Sequence, residues 1–196
     1  MLRSRARRRN LGVTLVEILT VTAIMSSLYS EKQASFRYAI NKANELKGIH
    51  NLKQIYLLLQ LQTLTGGFPD AAFYPQGDPR KDPKSIVKLL GAPPELFVSP
   101  FAPPPLQAKG LTYAWNDAVN GKLPDSLPGG TWLLIDLTAF IADPNVPKPN
   151  KYLVLYADGR AEAVDAPPPD ILRAVKEAHD KRPAPPKATP KATPKP

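Results

Sequence analysis

Residues 1–30 read MLRSRARRRNLGVTLVEILTVTAIMSSLYS. Five arginines and no acidic residue precede an apolar run from Leu11 to Tyr29, in which Glu17 is the only charged residue. As a helix this run would be about 28 Å long, which matches the hydrocarbon core of a bilayer. The basic flank predicts a cytoplasmic N-terminus and export of the remainder. The sequence therefore predicts a single-pass membrane protein whose transmembrane helix covers residues 13–30.

Three kinds of N-terminal segment share this charge pattern: a secretory signal peptide, an uncleaved signal anchor and a prepilin leader. A signal peptide is cut after its apolar run, whereas a prepilin leader is cut before it. The position of Glu17 favours the prepilin leader. A carboxylate inside an apolar span is costly unless it is paired, so it usually marks a functional position.

The junction around Gly12 resembles that of a known family. Residues 9–19, RNLGVTLVEIL, are similar to the leader junction of type IV pilins and type II secretion pseudopilins. The resemblance implies that a prepilin peptidase removes residues 1–12, cutting between Gly12 and Val13, and that the new N-terminal residue is methylated. Val13 departs from the family pattern, because phenylalanine or methionine is more common at that position.

After such a cut, Glu17 would be the fifth residue of the mature chain, one helical turn from the free amino group of Val13. Opposite charges at that spacing offset the cost of removing each other from water. The resemblance implies that Glu17 also contacts the N-terminal amine of a neighbouring subunit and sets the register of assembly. The alternative is a glutamate that is merely tolerated near a membrane surface.

Apolar residues continue at intervals of three to four beyond Tyr29, which predicts that the helix runs on to about Leu64. Thr65-Gly66-Gly67 predicts its end. Residues 31–65 would form an amphipathic half that packs on a globular domain. Its expected core positions are Phe36, Ile40, Ala43, Leu46, Ile49, Leu52, Ile55, Tyr56 and Leu59.

A narrower resemblance comes from residues 51–55, NLKQI, followed by Phe68-Pro69. They are similar to a group of bacterial pilin-like proteins that also have an Asp-Gly turn near the C-terminus, matched here by Asp158-Gly159. Ser99 stands where those proteins often have cysteine, and a histidine often found upstream of the turn is absent. These differences put any role that depends on a thiol or a histidine in doubt.

The middle of the chain divides into two segments. Residues 66–110 are rich in proline and predict mostly loop with one short helix at about 83–90, serving either as a contact surface or as a solvated connector. Residues 111–166 predict an antiparallel sheet with strands at 111–115, 132–136, 151–156 and 160–164. One sheet face would pack on the helix through Tyr113, Trp115, Leu133, Ile135, Leu153 and Leu155.

The end of the chain predicts a helix and a tail. Residues 167–180 predict a short helix at about Asp170–His179, with Ile171, Leu172 and Val175 on its apolar face. Residues 181–196 contain only lysine, arginine, proline, alanine and threonine, a composition typical of a disordered tail. That tail is either a cationic arm for an acidic envelope polymer or lipid headgroup, or a solubilising extension.

Composition excludes several function classes. The chain of 196 residues has a net charge of +9, of which +5 lies in residues 1–12 and +5 in residues 181–196, so the body carries −1. A near-neutral body argues against a nucleic-acid-binding domain. Cysteine is absent and only two histidines occur, and the aspartates lack calcium-loop spacing, so we expect no metal ligands and no cofactor. No catalytic constellation is recognisable, so we expect no enzyme.

Together these observations predict an α+β, pilin-like fold: a long N-terminal α-helix packed on a small antiparallel β-sheet, with a disordered C-terminal tail. The resemblance implies a structural subunit of a type IV pilus or type II secretion-like filament, and the proline-rich region and the tail favour a minor subunit. Implied partners are prepilin peptidase, other pilin or pseudopilin subunits and an inner-membrane assembly platform. The implied location is the bacterial inner membrane and then a periplasmic or surface filament. The alternative is a membrane-anchored extracytoplasmic binding protein that does not polymerise.

Overall fold

The computed structural model of the chain describes residues 15–140 and 151–180. The fold combines helices with one four-stranded antiparallel sheet, which confirms the predicted α+β class. Gly12, Val13 and the predicted tail 181–196 lie outside the described residues.

Helix α1, Leu15–Thr63, is the longest element. It confirms the predicted long helix over the described part of its range, and it ends just before Thr65-Gly66-Gly67, where the sequence predicts a stop. The chain divides into two compact units with the boundary between Ala43 and Asn44. Helix α1 begins in the first unit and ends in the second.

The sheet lies in the second unit and has the strand order β1-β2-β3-β4. Its strands are β1 (Tyr113–Trp115), β2 (Trp132–Asp136), β3 (Tyr152–Tyr156) and β4 (Ala161–Val164). Every neighbouring pair is antiparallel. The four predicted strands are confirmed to within two residues at their ends, and the predicted Asp158-Gly159 turn joins β3 to β4.

A β-bulge in β2 changes which side chains face α1. Trp132 pairs with Tyr156, but Leu134 pairs with Leu155, so Leu133 is an extra residue in this strand. Consequently Leu133 and Leu134 both join the core beside α1, while Ile135 belongs to the core on the opposite sheet face. The prediction that Ile135 packs toward the helix is wrong, because the bulge shifts the alternation by one residue.

Only the C-terminal part of α1 contributes to the core of the second unit. Leu52, Ile55 and Leu59 are fully buried against the sheet, and Ile49 and Tyr56 pack beside them. Four expected core positions nearer the N-terminus are exposed instead, namely Phe36, Ile40, Ala43 and Leu46. The periodicity therefore predicted the helix correctly, but it did not indicate which turns are covered.

Gly48 lies where the backbone of α1 is close to the sheet. A side chain at this position would collide with Leu153 on β3 and would lie 3.6 Å from Pro100. Glycine has a low helix propensity, so Gly48 destabilises α1 by itself. Because Gly48 has no side chain, the helix backbone can approach the sheet closely, and this packing offsets the loss.

The proline-rich residues 66–110 form one wall of the core. They contain helices α2 (Ile86–Leu90) and α3 (Pro104–Gln107). Helix α2 is shorter than predicted because Ser85 caps it, its hydroxyl accepting a hydrogen bond from the Val87 amide at 3.3 Å. The segment buries Phe68, Ala71, Ile86, Val87 and Phe97.

Helix α4, Pro169–Asp180, packs on the sheet face opposite α1. Ile171 is fully buried there among Ala114, Trp132 and Val154, which confirms its predicted apolar role. Leu172 is 55 % exposed, so its assignment to the buried face is wrong.

The predicted membrane topology is wrong. Within residues 15–140 and 151–180, no helix contains an apolar stretch long enough to cross a bilayer. This finding overturns the predicted transmembrane helix at residues 13–30, the single-pass topology and the inner-membrane location. Polar residues interrupt the first turns of α1 at short intervals, namely Glu17, Thr20, Thr22, Ser26, Ser27, Glu31 and Lys32.

Candidate assembly surface

The three residues predicted to direct cleavage and assembly are not brought together by the described structure. Gly12 and Val13 lie outside the described residues, and Glu17 lies in the first turn of α1. The cleavage site and the pairing of Glu17 with the Val13 amine therefore remain predictions from the sequence.

The first turns of α1 carry large apolar side chains that are 55 % to 77 % exposed. These side chains are Leu15, Val16, Ile18, Leu19, Val21, Ile24 and Met25. Successive residues of an α-helix are offset by about 100° around its axis, so these seven positions fall on all sides of the helix. Large apolar side chains that project on every side of a helix, between its polar positions, are typical of a helix surrounded by other apolar groups, and not of a helix lying on one core. We call these residues the assembly surface.

The threonine hydroxyls among these residues are satisfied by the helix itself. Thr20 Oγ1 donates to the carbonyl of Val16 at 2.7 Å, and Thr22 Oγ1 donates to the carbonyl of Ile18 at 2.7 Å. This is the i to i−4 bonding that threonine makes in helices. Because these donors are paired internally, the threonines can be covered by apolar neighbours without a desolvation penalty for an unpaired hydroxyl.

Apolar exposure continues farther along the first unit. Phe36 is 67 % exposed and Tyr38 is 73 % exposed. The helical periodicity predicts Phe36 in the intramolecular core, whereas in the structure this side chain is exposed and accessible to another molecule. The position of Phe36 in the apolar repeat does not distinguish burial in the intramolecular core from contact with another molecule, because both require an apolar helix face.

A buried polar cluster lies in the second unit, and sequence reasoning did not find it. Asp136 is 1 % exposed, and its Oδ2 accepts a hydrogen bond from the Ser99 hydroxyl at 2.5 Å. Its Oδ1 accepts from the Thr138 amide at 2.9 Å and the Thr138 hydroxyl at 2.7 Å. Burial raises the pKa of the Asp136 carboxyl, and the donors from Ser99 and Thr138 act in the opposite direction.

Tyr113 lies opposite Asp136 in the pairing of β1 with β2. Its hydroxyl is buried and has no hydrogen-bond partner among the residues that the structure describes. Burial raises the pKa of this phenol well above its usual value, and the charge of Asp136 adds to the effect. Ser99 and Asp136 are 37 positions apart, so no local pattern in the sequence links them.

Asp158 has a structural role in the turn between β3 and β4. Asp158 accepts hydrogen bonds from the Arg160 amide at 3.0 Å and from Arg160 Nε at 2.7 Å, which fixes the turn. Within residues 15–140 and 151–180, no group of three or more metal-ligating side chains comes together.

Comparison with known proteins adds no relative. No family model matches the sequence, and neither a curated protein nor a solved structure shows significant similarity to it.

Proposed function

We propose that this chain is a subunit of a filament of the pilin or pseudopilin type. A prepilin peptidase removes residues 1–12 by cutting between Gly12 and Val13, and the new N-terminus is methylated. The mature chains then assemble through their N-terminal helices, together with other subunits of the same type and an assembly platform. The proline-rich segment 66–110 and the added tail favour a minor subunit over a major one.

The observation that carries the proposal is the assembly surface. Its apolar side chains are exposed in the single chain and lie on all sides of α1. Covering them on one side would leave the others in water, so several partner helices must surround this segment. A filament core built from identical helices supplies partners on every side, and the transfer of exposed leucine or isoleucine side chains into such a core is favourable by about 1.5–3 kcal/mol each.

The leader junction supplies the second line of support. In the mature chain the amine of Val13 and the carboxylate of Glu17 would be one helical turn apart. A carboxylate inside a filament core needs an opposite charge, because an unpaired buried charge is strongly unfavourable. The amine of the same chain or of a neighbouring subunit is the partner that the proposal assigns to it.

The proposal is tested by placing a charge in the assembly surface. In cells that carry a prepilin peptidase, Leu19→Lys should abolish the sedimenting filament fraction, because the ammonium would be buried without a partner. Leu172→Lys is the matched control: Leu172 is 55 % exposed on α4, so the same substitution should leave assembly unchanged. Filaments would be quantified by sedimentation and identified by electron microscopy.

The two variants must accumulate to similar levels and unfold at similar temperatures for the comparison to hold. Equal amounts of filament from Leu19→Lys and Leu172→Lys would contradict the proposed role of the assembly surface. A chain that stays monomeric in both variants and in the wild type would contradict filament formation altogether.

A further inference from the structure

A cavity of about 280 Å³ lies in the second unit, between the C-terminal part of α1 and residues 80–110. Its polar lining residues are Lys47, Asn51, Arg80, Glu95, Ser99 and Gln107, and Pro94 and Pro100 stiffen its walls. Small-molecule sites have volumes of about 300–1,000 Å³. At about 280 Å³ this cavity lies just below that range, so it suits only a ligand as small as an amino acid or a dipeptide.

The charged side chains that line the cavity have a net positive charge. Lys47 and Arg80 contribute two cations, and Glu95 contributes one carboxylate. None of the three forms an ion pair with another side chain in the part of the chain that the structure describes. The lining therefore offers cations for a carboxylate and, separately, a carboxylate for an ammonium group.

Asn51 is a largely buried polar residue in the lining of the cavity. It is 7 % exposed, lines the cavity and makes no hydrogen bond through its side chain within the described residues. Its carboxamide is not among the solvent-inaccessible side-chain groups that lack a hydrogen-bond partner in the described residues, so it reaches the solvent in the cavity, where a ligand could replace water as its partner. Lys47 precedes Asn51 by one helical turn, so both lie on the same face of α1.

Arg80 is held at the rim of the cavity by the backbone beneath it. Its Nη2 donates to the carbonyl of Ala108 at 3.5 Å. Gly110 has a φ of +76°, and a Cβ at that position would lie 3.1 Å from Arg80 Nε. The glycine therefore provides the space in which the guanidinium group rests, and it leaves the remaining N–H donors of Arg80 available to a ligand.

We propose that this cavity binds a free amino acid or a short peptide in its zwitterionic form. The ligand carboxylate contacts Arg80 and Lys47, its ammonium group contacts Glu95, and the carboxamide of Asn51 pairs with the carboxylate or with the peptide group between them. A dianion such as phosphate fits less well, because Glu95 would repel it. The inference does not depend on filament assembly.

The test is calorimetric titration of the full chain with L-alanyl-L-alanine, its N-acetyl derivative and its C-terminal amide. The free dipeptide should bind in a saturable manner. The amide should bind about tenfold to a hundredfold more weakly, because it loses charge-assisted hydrogen bonds to the cations. Arg80→Gln should weaken binding of the free dipeptide to a similar degree, whereas Arg173→Gln, an exposed arginine on α4, should change nothing.

Titration of the Glu95→Gln variant with the free and the N-acetyl dipeptide tests the contact between Glu95 and the ligand ammonium group. This variant should weaken binding of the free dipeptide and leave binding of the N-acetyl dipeptide unchanged. Equal affinity for the free dipeptide and its amide, tighter binding of inorganic phosphate than of the dipeptide, or the absence of saturable heat with all three peptides would each overturn the proposal. Unfolding temperatures of Arg80→Gln and Glu95→Gln equal to that of the wild type show that the site, and not the fold, was changed.

Discussion

Tyr56 of α1 lies directly against Gly159 of the turn between β3 and β4. A Cβ at Gly159 would be 2.6 Å from Tyr56 Cε1, and the Tyr56 hydroxyl donates to the carbonyl of Ala157, 101 positions farther along the chain, at 3.1 Å. Tyr56 directly follows the motif at residues 51–55, so this contact connects the end of that motif to the Asp158-Gly159 turn. The turn glycine is therefore constrained both by its own backbone and by the helix that packs on it.

Gly159→Ala should be strongly destabilising. Gly159 has a φ of +84°, a conformation that costs other residues about 1–2 kcal/mol, and the new methyl group would also overlap the ring of Tyr56. Overpacking of this kind adds about 1–3 kcal/mol. We expect a loss of about 2–5 kcal/mol in the free energy of unfolding, measured by urea denaturation.

Gly91→Ala separates the two causes. Gly91 has a φ of +59°, and no atom lies within 4 Å of the place that a Cβ would occupy, so the variant suffers backbone strain without a collision. It should lose only about 1 kcal/mol. If Gly91→Ala and Gly159→Ala were equally destabilising, the contact with Tyr56 would have no energetic role.

Gly67→Ala and Gly66→Ala should differ sharply although they are neighbours. A Cβ at Gly67 would collide with the backbone carbonyl of Gly121, whereas a Cβ at Gly66 meets nothing within 4 Å. The backbone beside Gly67 is held in place because the Gly121 amide donates to the carbonyl of Phe68 at 2.9 Å. We expect a loss of about 1–3 kcal/mol for Gly67→Ala, and less than about 0.5 kcal/mol for Gly66→Ala. Chemical denaturation of both variants checks this, and similar values would contradict the close approach.

Two tyrosine-to-phenylalanine substitutions should change the stability of the fold in opposite directions. Tyr113 buries a hydroxyl that has no partner in the described part of the chain, so Tyr113→Phe should stabilise by about 1 kcal/mol or more. The Tyr74 hydroxyl donates to the carbonyl of Leu111 at 3.0 Å, so Tyr74→Phe should destabilise by about 1 kcal/mol. Thermal unfolding of the two variants distinguishes them, and a destabilised Tyr113→Phe would mean that this hydroxyl has a partner after all.

The buried Asp136 should make stability depend on pH. Burial raises the pKa of this carboxyl in the folded state above its ordinary value of 3.8, so between the two values the folded chain holds more protons than the unfolded chain. The contribution of Asp136 to the free energy of unfolding must then fall as pH rises through that interval, and it is constant above the folded-state pKa.

Asp136→Asn should remove this contribution. As pH rises from the ordinary carboxyl pKa to neutrality, the unfolding free energy of the wild type should fall relative to that of Asp136→Asn. Asp125→Asn, at an exposed position, should keep the pH dependence of the wild type. Parallel pH profiles for wild type and Asp136→Asn would show that the burial of this carboxyl does not govern its ionisation.

Local patterns predicted the elements well. The period of apolar residues predicted α1, and the Asp158-Gly159 pair predicted the turn between β3 and β4, because both signals depend only on neighbouring residues. Contacts across the fold were harder to predict. The bulge at Leu133 reversed the expected side of Ile135, and the bond between Ser99 and Asp136 joins distant segments.

The assembly surface also could not be assigned from local patterns. An apolar helix face predicts burial but does not specify what buries it, so Phe36 was assigned to the intramolecular core although it is exposed. The apolar run at residues 11–29 was likewise assigned to a membrane, whereas the described helices contain no stretch that could span one. The cavity beside Asn51 had no sequence signal, because its lining comes from α1 and from loops that are distant from it in sequence.

The most direct test of the account is the intact mass and N-terminal sequence of the protein recovered from cells that carry a prepilin peptidase. We predict a chain that begins at Val13 and carries one additional methyl group, because the filament proposal requires a free, modified amine one turn from Glu17. An uncut chain beginning at Met1, or a chain cut beyond Tyr29, would contradict it.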